Sequence, residues 1–183
     1  MRIRSLVSAA LTSSAVVAVA TIVASAQGPS MPMETPTKAV AVFIPTKGSS
    51  VMGTVTFTKV DQGTRVMAEL TGVPAGKHGL HVHEFGDASS PDGKAAGSHF
   101  DPKMAKKHGD PSKKDVRHIG DFGNIEAKDD GKAMYDEVYP DLPIEVIVGH
   151  GVVIHEKADD FSQPVGNAGG RLAVGVIGVA KGK

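Results

Sequence analysis

The stretch His78-Gly79-Leu80-His81-Val82-His83-Glu84-Phe85-Gly86-Asp87 constrains this chain more than any other. Successive side chains of a strand point to opposite faces, so His81 and His83 share one face while Leu80 and Val82 share the other. A strand patterned in this way holds a metal on one side and a core on the other. Same-face neighbours stand about 6 to 7 Å apart, close enough for two imidazoles to converge on one ion. A His-x-His pair alone also occurs as ordinary surface or core histidines, so its surroundings must decide.

Those surroundings read as short strands. Lys38 to Ile44, Val51 to Lys59 and Thr64 to Leu70 tend to alternate in character, separated by Lys47-Gly48-Ser49-Ser50 and Asp61-Gln62-Gly63. Val73-Pro74-Ala75-Gly76 turns into the histidine strand, and further strands are expected at Gly123 to Ala127, Ala133 to Val138, Val146 to Glu156 and Leu172 to Val179. Asp129-Asp130-Gly131 supplies a tight turn. The 22 glycines and 11 prolines favour turns over long helices. Eight strands with one face buried predict an all-β sandwich or Greek-key barrel, and 183 residues at 40% hydrophobic fit one domain plus a tail.

The tail comes first in the chain. Arg2 and Arg4, the apolar run Leu6 to Val23 and the small residues Ala24-Ser25-Ala26 read as a secretory signal peptide over 1–26, cleaved after Ala26; an uncleaved anchor helix is the alternative. Residues 27–37, with Pro29, Pro32 and Pro36, form a linker, in which Met31 and Met33 carry thioethers able to collect Cu(I) but fit an ordinary linker equally. The domain is 38–183. Export to the periplasm or the extracellular space follows, with no membrane contact after cleavage. Losing the two arginines leaves a mature charge of about −2, with no basic face for nucleic acid.

Cysteine is absent. No disulfide, thiolate nucleophile or Cys-ligated zinc can form, and metal must bind through His or carboxylate. Gly86 to Gly120 has no periodicity and contains His99, His108 and His118, with Asp121 just beyond; Lys157 to Gly170 is a second irregular run. Loops of this size in a compact domain are functional or disordered, and three histidines with an aspartate can close a tetrahedral site that fixes the first of them in place.

Six segments then carry a resemblance. The histidine stretch above, Gly97-Ser98-His99-Phe100-Asp101-Pro102, Lys107-His108-Gly109, Arg117-His118-Ile119-Gly120-Asp121, Val153-Ile154-His155-Glu156-Lys157-Ala158-Asp159-Asp160 and Gly166-Asn167-Ala168-Gly169-Gly170-Arg171-Leu172 resemble, in order and nearly in spacing, the signature segments of the copper/zinc superoxide dismutases. The resemblance implies an eight-stranded antiparallel Greek-key β-barrel, an immunoglobulin-like sandwich, with two long functional loops over a binuclear site. It implies copper on His81, His83, His99 and His155, zinc on His99, His108, His118 and Asp121, and His99 bridging the two ions. Asp159 resembles the carboxylate that ties a copper histidine, here His81, to a zinc histidine, here His108. Arg171 resembles the arginine that guides the superoxide anion. The implied reaction converts superoxide to dioxygen and hydrogen peroxide by Cu(II)/Cu(I) cycling, with zinc structural and His99 taking and returning a proton.

Two histidines stand outside these sets: His78 is expected to pack behind the metal strand and His150 to lie at the surface. The chain departs from the family in three places. Val174 stands at the second position of the usual disulfide and the Gly93 region offers no partner; the segment between Asp160 and Gly166 is short; Val165 replaces a threonine common beside the channel. An exported copper-binding or copper-buffering protein with the same barrel is the competing reading, and it would need neither Arg171 nor a complete zinc set. A homodimer is entertained, although no single motif reports assembly.

Overall fold

The structure is a computed structural model and describes residues 35–102, 107–113 and 117–182, so the signal segment 1–26 and most of the linker 27–37 lie outside the described residues. The described chain runs β1 (Lys38–Pro45), β2 (Met52–Val60), β3 (Gly63–Thr71), β4 (Gly76–His83), β5 (Asp121–Ala127), β6 (Ala133–Tyr139), a helical turn α1 (Ile144–Ile147), β7 (Gly151–His155), β8 (Arg171–Val176) and a short β9 (Gly178–Val179), with one 3-10 turn at Lys94–Ala96.

Every pairing is antiparallel, in the order β2-β3-β6-β5-β4-β7-β8-β1, and β1 also pairs with β2, which closes the ring. β3 lies beside β6, while β4 sits between β5 and β7; the chain therefore crosses the barrel end in a Greek key. β2 and β3 form a long hairpin from Met52↔Thr71 to Val60↔Gly63. Gly63 makes that turn at φ 132, and a Cβ there would meet the Tyr139 carbonyl oxygen at 2.3 Å. β5 and β6 meet only at Ala127↔Ala133 and then splay. Side chains fill the opening: the Tyr135 hydroxyl donates to the Phe122 carbonyl at 2.8 Å, and Tyr139 packs on the Phe122 ring at 5.1 Å.

The period of two survives in β3, where buried and accessible residues alternate. In β4 it is hidden, because six consecutive residues from His78 to His83 are buried. Leu80 and Val82 enter the barrel core with Phe57, Phe122, Ile125 and Ile154; His81 and His83 face outward and are covered by the two loops.

Two expected strands are shorter than their apolar runs. Of Val146 to Glu156, the first residues belong to α1, which Pro143 starts and Gly149, at φ 90, follows; only Gly151–His155 is strand. A short apolar run does not by itself separate a buried helical turn from a strand. Leu172 to Val179 breaks at Ile177, which is buried and bonds through both backbone groups to the Gly149–His150 turn.

The loop from Gly86 to Gly120 is tied in two different ways. Its first half is held by backbone and packing: Phe85 N–H donates to Ala96 O at 2.9 Å, Glu84 N–H to Ser98 O at 2.9 Å and Lys47 N–H to Pro91 O at 2.7 Å. Ala96, Val153 and Val174 form a small buried cluster with Ala88 against it. A Cβ on Gly93 would lie 2.9 Å from Val174 Cγ2, so Gly93 stands directly against Val174 in the place expected of a disulfide. Among the described residues of the second half the ties run to side chains: Gly109 N–H and His118 N–H both donate to Asp121 Oδ2 at 3.1 Å, and His108 N–H donates to Gln163 Oε1 at 3.0 Å. Metal ordering of the whole loop is therefore narrowed to its second half. Chelation of the metals is expected to leave the Glu84 and Phe85 amides protected from hydrogen exchange while His108, Gly109 and His118 lose protection. Equal loss at both sets would mean that metal orders the entire loop; no loss at either would mean that packing does.

Candidate metal centre

β4 and β7 are neighbours, paired Leu80↔Ile154 through His83↔Gly151. That register sets His155, at the end of β7, beside His81 and His83. His99 joins them through an isolated bridge to His83, and Asp121 enters at the start of β5 from the turn His118–Asp121, closed by Asp121 N–H to His118 O at 3.1 Å.

Two groups result. His81, His83, His99 and His155 each bring one ring nitrogen to within 4.8 Å of the others, and His99, His108, His118 and Asp121 do the same; all seven side chains are buried. His99 belongs to both, its ring centroid 5.0 Å from that of His83 and 5.0 Å from that of His108. The structure thus brings together the seven side chains that the family resemblance implies as ligands, with His99 in both groups.

The hydrogen bonds fix which nitrogen is free. A carbonyl oxygen only accepts, so His83 Nδ1–H donates to Gly97 O at 3.0 Å and His155 Nδ1–H to Gly169 O at 3.3 Å. In neutral rings this leaves two Nε2 lone pairs facing each other at 3.1 Å. Such a pair is repulsive unless a cation lies between. Asp159 fixes two more rings, Oδ2 taking His81 Nε2–H and Oδ1 taking His108 Nε2–H, each at 2.8 Å. His81 Nδ1, His108 Nδ1 and His118 Nδ1 are then buried with no hydrogen-bond partner. Of these, His108 Nδ1 lies 3.0 Å and His118 Nδ1 3.4 Å from Asp121 Oδ2, close in distance but without hydrogen-bond alignment. A tetrahedral ion with bonds of about 2.0 to 2.1 Å separates its donors by about 3.3 Å, so the donors on this side are spaced as zinc would hold them. The donor set fits both metals: imidazole alone on one side, imidazole with one hard carboxylate on the other.

Charge balance follows the same geometry. Burial, with repulsion from neighbouring rings, holds His83 well below the usual imidazole value and takes His155 to about 3. Burial likewise lowers His99 to about 4, against the pull of Asp121. For His108 burial acts downward, but Asp121 and Asp159 outweigh it and raise the ring to about 9. Burial alone would raise both carboxyls; the histidine nitrogens close against them instead hold Asp121 and Asp159 well below the ordinary range.

Arg171 reaches the same mouth. It pairs with His155 across β7 and β8, and its guanidinium donates to the carbonyls of Gly93 and Gly97. A cavity of about 170 Å³ is lined by Arg171, His83, His99 and His155 with Val165, Asn167 and Ala168. Val165 therefore faces the cavity, as its place in the sequence suggests.

His78 is a buried residue of β4 itself, with Nδ1 2.9 Å from His155 O and Nε2 2.8 Å from Pro74 O. His150 is half-buried, stacked on Phe100 at 3.8 Å with Nδ1 2.7 Å from Glu84 O. Sequence reasoning missed two amides. The Asn124 side chain donates to Asp159 O at 2.9 Å and accepts from Asp159 N–H at 2.7 Å, and Gln163 holds His108 in the same way. Neither has a residue type that signals a metal, and only their contacts reveal them.

Comparison with known proteins agrees. Residues 51–177 match the family model described as copper/zinc superoxide dismutase (SODC). Among curated relatives, the extracellular superoxide dismutase [Cu-Zn] of Drosophila melanogaster is 40% identical over 177 residues, covering 87% of this chain and 93% of its own. Superoxide dismutase [Cu-Zn] 5 of Dictyostelium discoideum is 38% identical over 147 residues, covering 74% and 95%. Among solved structures, a crystal structure of the clock protein EA4 superposes with a TM-score of 0.73 at 39% identity, covering 82% of this chain and 99% of that one. With the family model spanning most of the sequence and the expected donors converged on two adjacent positions, the chain belongs to the copper/zinc superoxide dismutase family.

Proposed function

We propose that this chain is an exported superoxide dismutase in which His81, His83, His99 and His155 hold copper and His99, His108, His118 and Asp121 hold zinc. The observation that carries this reading is the pair of four-donor clusters sharing His99, with buried, unpartnered ring nitrogens aimed into them. Copper, when bound, supplies the one-electron couple that takes superoxide to dioxygen in one half-reaction and to hydrogen peroxide in the other. The protein's residues do the remainder. Arg171, its fork fixed by two backbone carbonyls, presents positive charge at the cavity mouth and draws in an anion of charge −1. His99 has Nδ1 3.1 Å from Asp121 Oδ1 on the zinc side, which leaves Nε2 as the atom that takes up and returns a proton beside copper. Asp159 holds His81 and His108 in one tautomer throughout.

Residues 1–26 serve as the signal, with cleavage after Ala26 delivering domain 38–183 to the periplasm or the extracellular space; the extracellular relative supports export. Among the described residues no helix is long and apolar enough to cross a membrane. Exported protein beginning at Gln27 is expected to bind one copper and one zinc and to dismutate superoxide. His155→Ala should abolish activity, Asp121→Ala should lose zinc first and keep some copper-dependent turnover, and Arg171→Ala should slow the reaction and flatten its decline with salt, since screening acts over about 8 to 10 Å. Metal analysis and a superoxide assay check this. Copper without zinc, or activity no greater than that of free copper, returns the chain to the copper-buffering reading.

Protons compete with the metals for the same nitrogens. In the metal-free protein His99 and His155 have folded values of about 4 and about 3, below the unfolded 6.5, so their contribution to stability is present above about pH 6.5 and is lost as pH falls through 4 and 3. His108 acts oppositely: raised to about 9, it contributes fully below about pH 6.5 and loses that contribution as pH rises through 9. Melting of the metal-free protein across this range is expected to show maximal stability near pH 6.5. A melting temperature that climbs steadily from pH 6.5 to 4 contradicts the assignment of buried, neutral copper-side histidines.

We infer a homodimer formed through the β1/β8/β9 face. Val42, Phe85, Val176 and Val179 are 62%, 58%, 41% and 64% exposed there, too much apolar surface in one area for an isolated barrel wall. They are neighbours: Phe43 pairs with Gly175, Ala39 pairs with Val179, and Gly86 sits against Val176. Sedimentation should give a dimer for the wild type and a monomer for Val176→Asp. A monomeric wild type refutes the assembly.

A further inference from the structure

The turn from Asp159 to Gly166 is closed on itself by Asp160 N–H to Gly166 O at 2.9 Å and Gly166 N–H to Ser162 O at 2.8 Å. Three of its residues converge on one histidine of the first loop. Asp159 Oδ1 accepts from His108 Nε2–H, and the Phe161 ring stacks on the His108 ring with centroids 6.4 Å apart at 27°. Gln163 grips the backbone: its Nε2–H donates to His108 O at 2.7 Å and its Oε1 accepts from His108 N–H at 3.0 Å. The orientation of that amide is forced, because a peptide N–H only donates and a carbonyl only accepts. Gly166, at φ 73, allows the turn to lie this close, since a Cβ there would stand 2.5 Å from His108 Nε2.

We infer that Gln163 is a positioning residue for zinc, a side-chain amide that replaces a missing strand partner for His108 and so fixes where His108 Nδ1 points. This rests on His108 being a zinc ligand. A two-point amide grip restrains the ligand's main chain from sliding or turning, while Asp159 and Phe161 orient the ring, so less ordering is left for zinc to impose. The grip also joins the two loops at the zinc side, where the first loop has side-chain tethers in place of the apolar cluster that holds its other half.

The test is the rate of zinc loss to a chromogenic chelator from protein loaded with copper and zinc. Gln163→Leu keeps bulk and removes both hydrogen bonds; it is expected to lose zinc roughly 10-fold faster or more, with copper retention unchanged. Ser162→Ala, in the same turn but without contact to His108, is expected to behave as wild type. Cobalt bound in place of zinc should show shifted visible bands in Gln163→Leu alone. Gln163→Glu keeps the acceptor, sets an oxygen against the His108 carbonyl and should also lose zinc faster, which gives a second reading should Gln163→Leu not fold. Equal acceleration in Gln163→Leu and Ser162→Ala, or wild-type kinetics in both Gln163 variants, overturns the positioning role. A wild-type chain that takes up no zinc overturns the metal assignment itself.

Discussion

Each carboxylate oxygen of Asp159 sits 2.8 Å from a different imidazole nitrogen, and the side chain has no contact with solvent. A buried carboxylate is costly unless its lone pairs are taken up. Here they are: His81 and His108 donate to it, and Phe161 N–H adds a bond at 2.8 Å. The same bonds turn two Nδ1 atoms inward, one toward each metal position. Asn124 of β5 pins the Asp159 backbone, so the barrel wall fixes the carboxylate and the carboxylate fixes the ligands. Two adjacent sites thereby share a single support.

That support works because the rest of the centre is held neutral or paired. On the side proposed for copper, where Asp159 takes the second nitrogen of His81, the imidazoles of His83 and His155 spend theirs on backbone carbonyls of Gly97 and Gly169, which belong to the loops. Their lone pairs are left to confront one another across a small space. The zinc side instead balances histidines against Asp121, whose oxygens also accept two loop amides. One side is prepared by excluding charge and the other by concentrating it. The difference suits a redox ion whose charge changes and a structural ion whose charge does not.

The strands and the two irregular loops were legible from residue spacing, the ligand sets only through the family resemblance, and the losses have physical reasons. The alternation in Leu80-His81-Val82-His83 identified a strand with two uses, although burial on both faces erases that alternation from the accessible surface. The apolar run from Val146 was ambiguous because so short a run does not separate a buried helical turn from a strand; in the helical turn Ile144 and Ile147, three residues apart, share the core face. Ligand identities came with the family resemblance; histidine spacing across a 35-residue loop does not by itself pair His99 with His83. Asn124 and Gln163 were invisible, since an amide that bonds a distant backbone leaves no local pattern. The missing disulfide was plain in the composition, but that Gly93 would stand against Val174, itself packed on Ala96 and Val153, required the fold.

The contact among Ala96, Val153 and Val174 has a bearing on maturation. A chain that closes its loop with sulfur finishes folding only where an oxidant is supplied, and its folded state depends on the thiol poise of its compartment. This chain contains no cysteine and closes the same loop with methyl groups and backbone hydrogen bonds. Its barrel and copper-side loop are thus indifferent to thiol chemistry, on either side of a membrane. Metal supply, in place of thiol oxidation, becomes the external step that this loop closure leaves to be met.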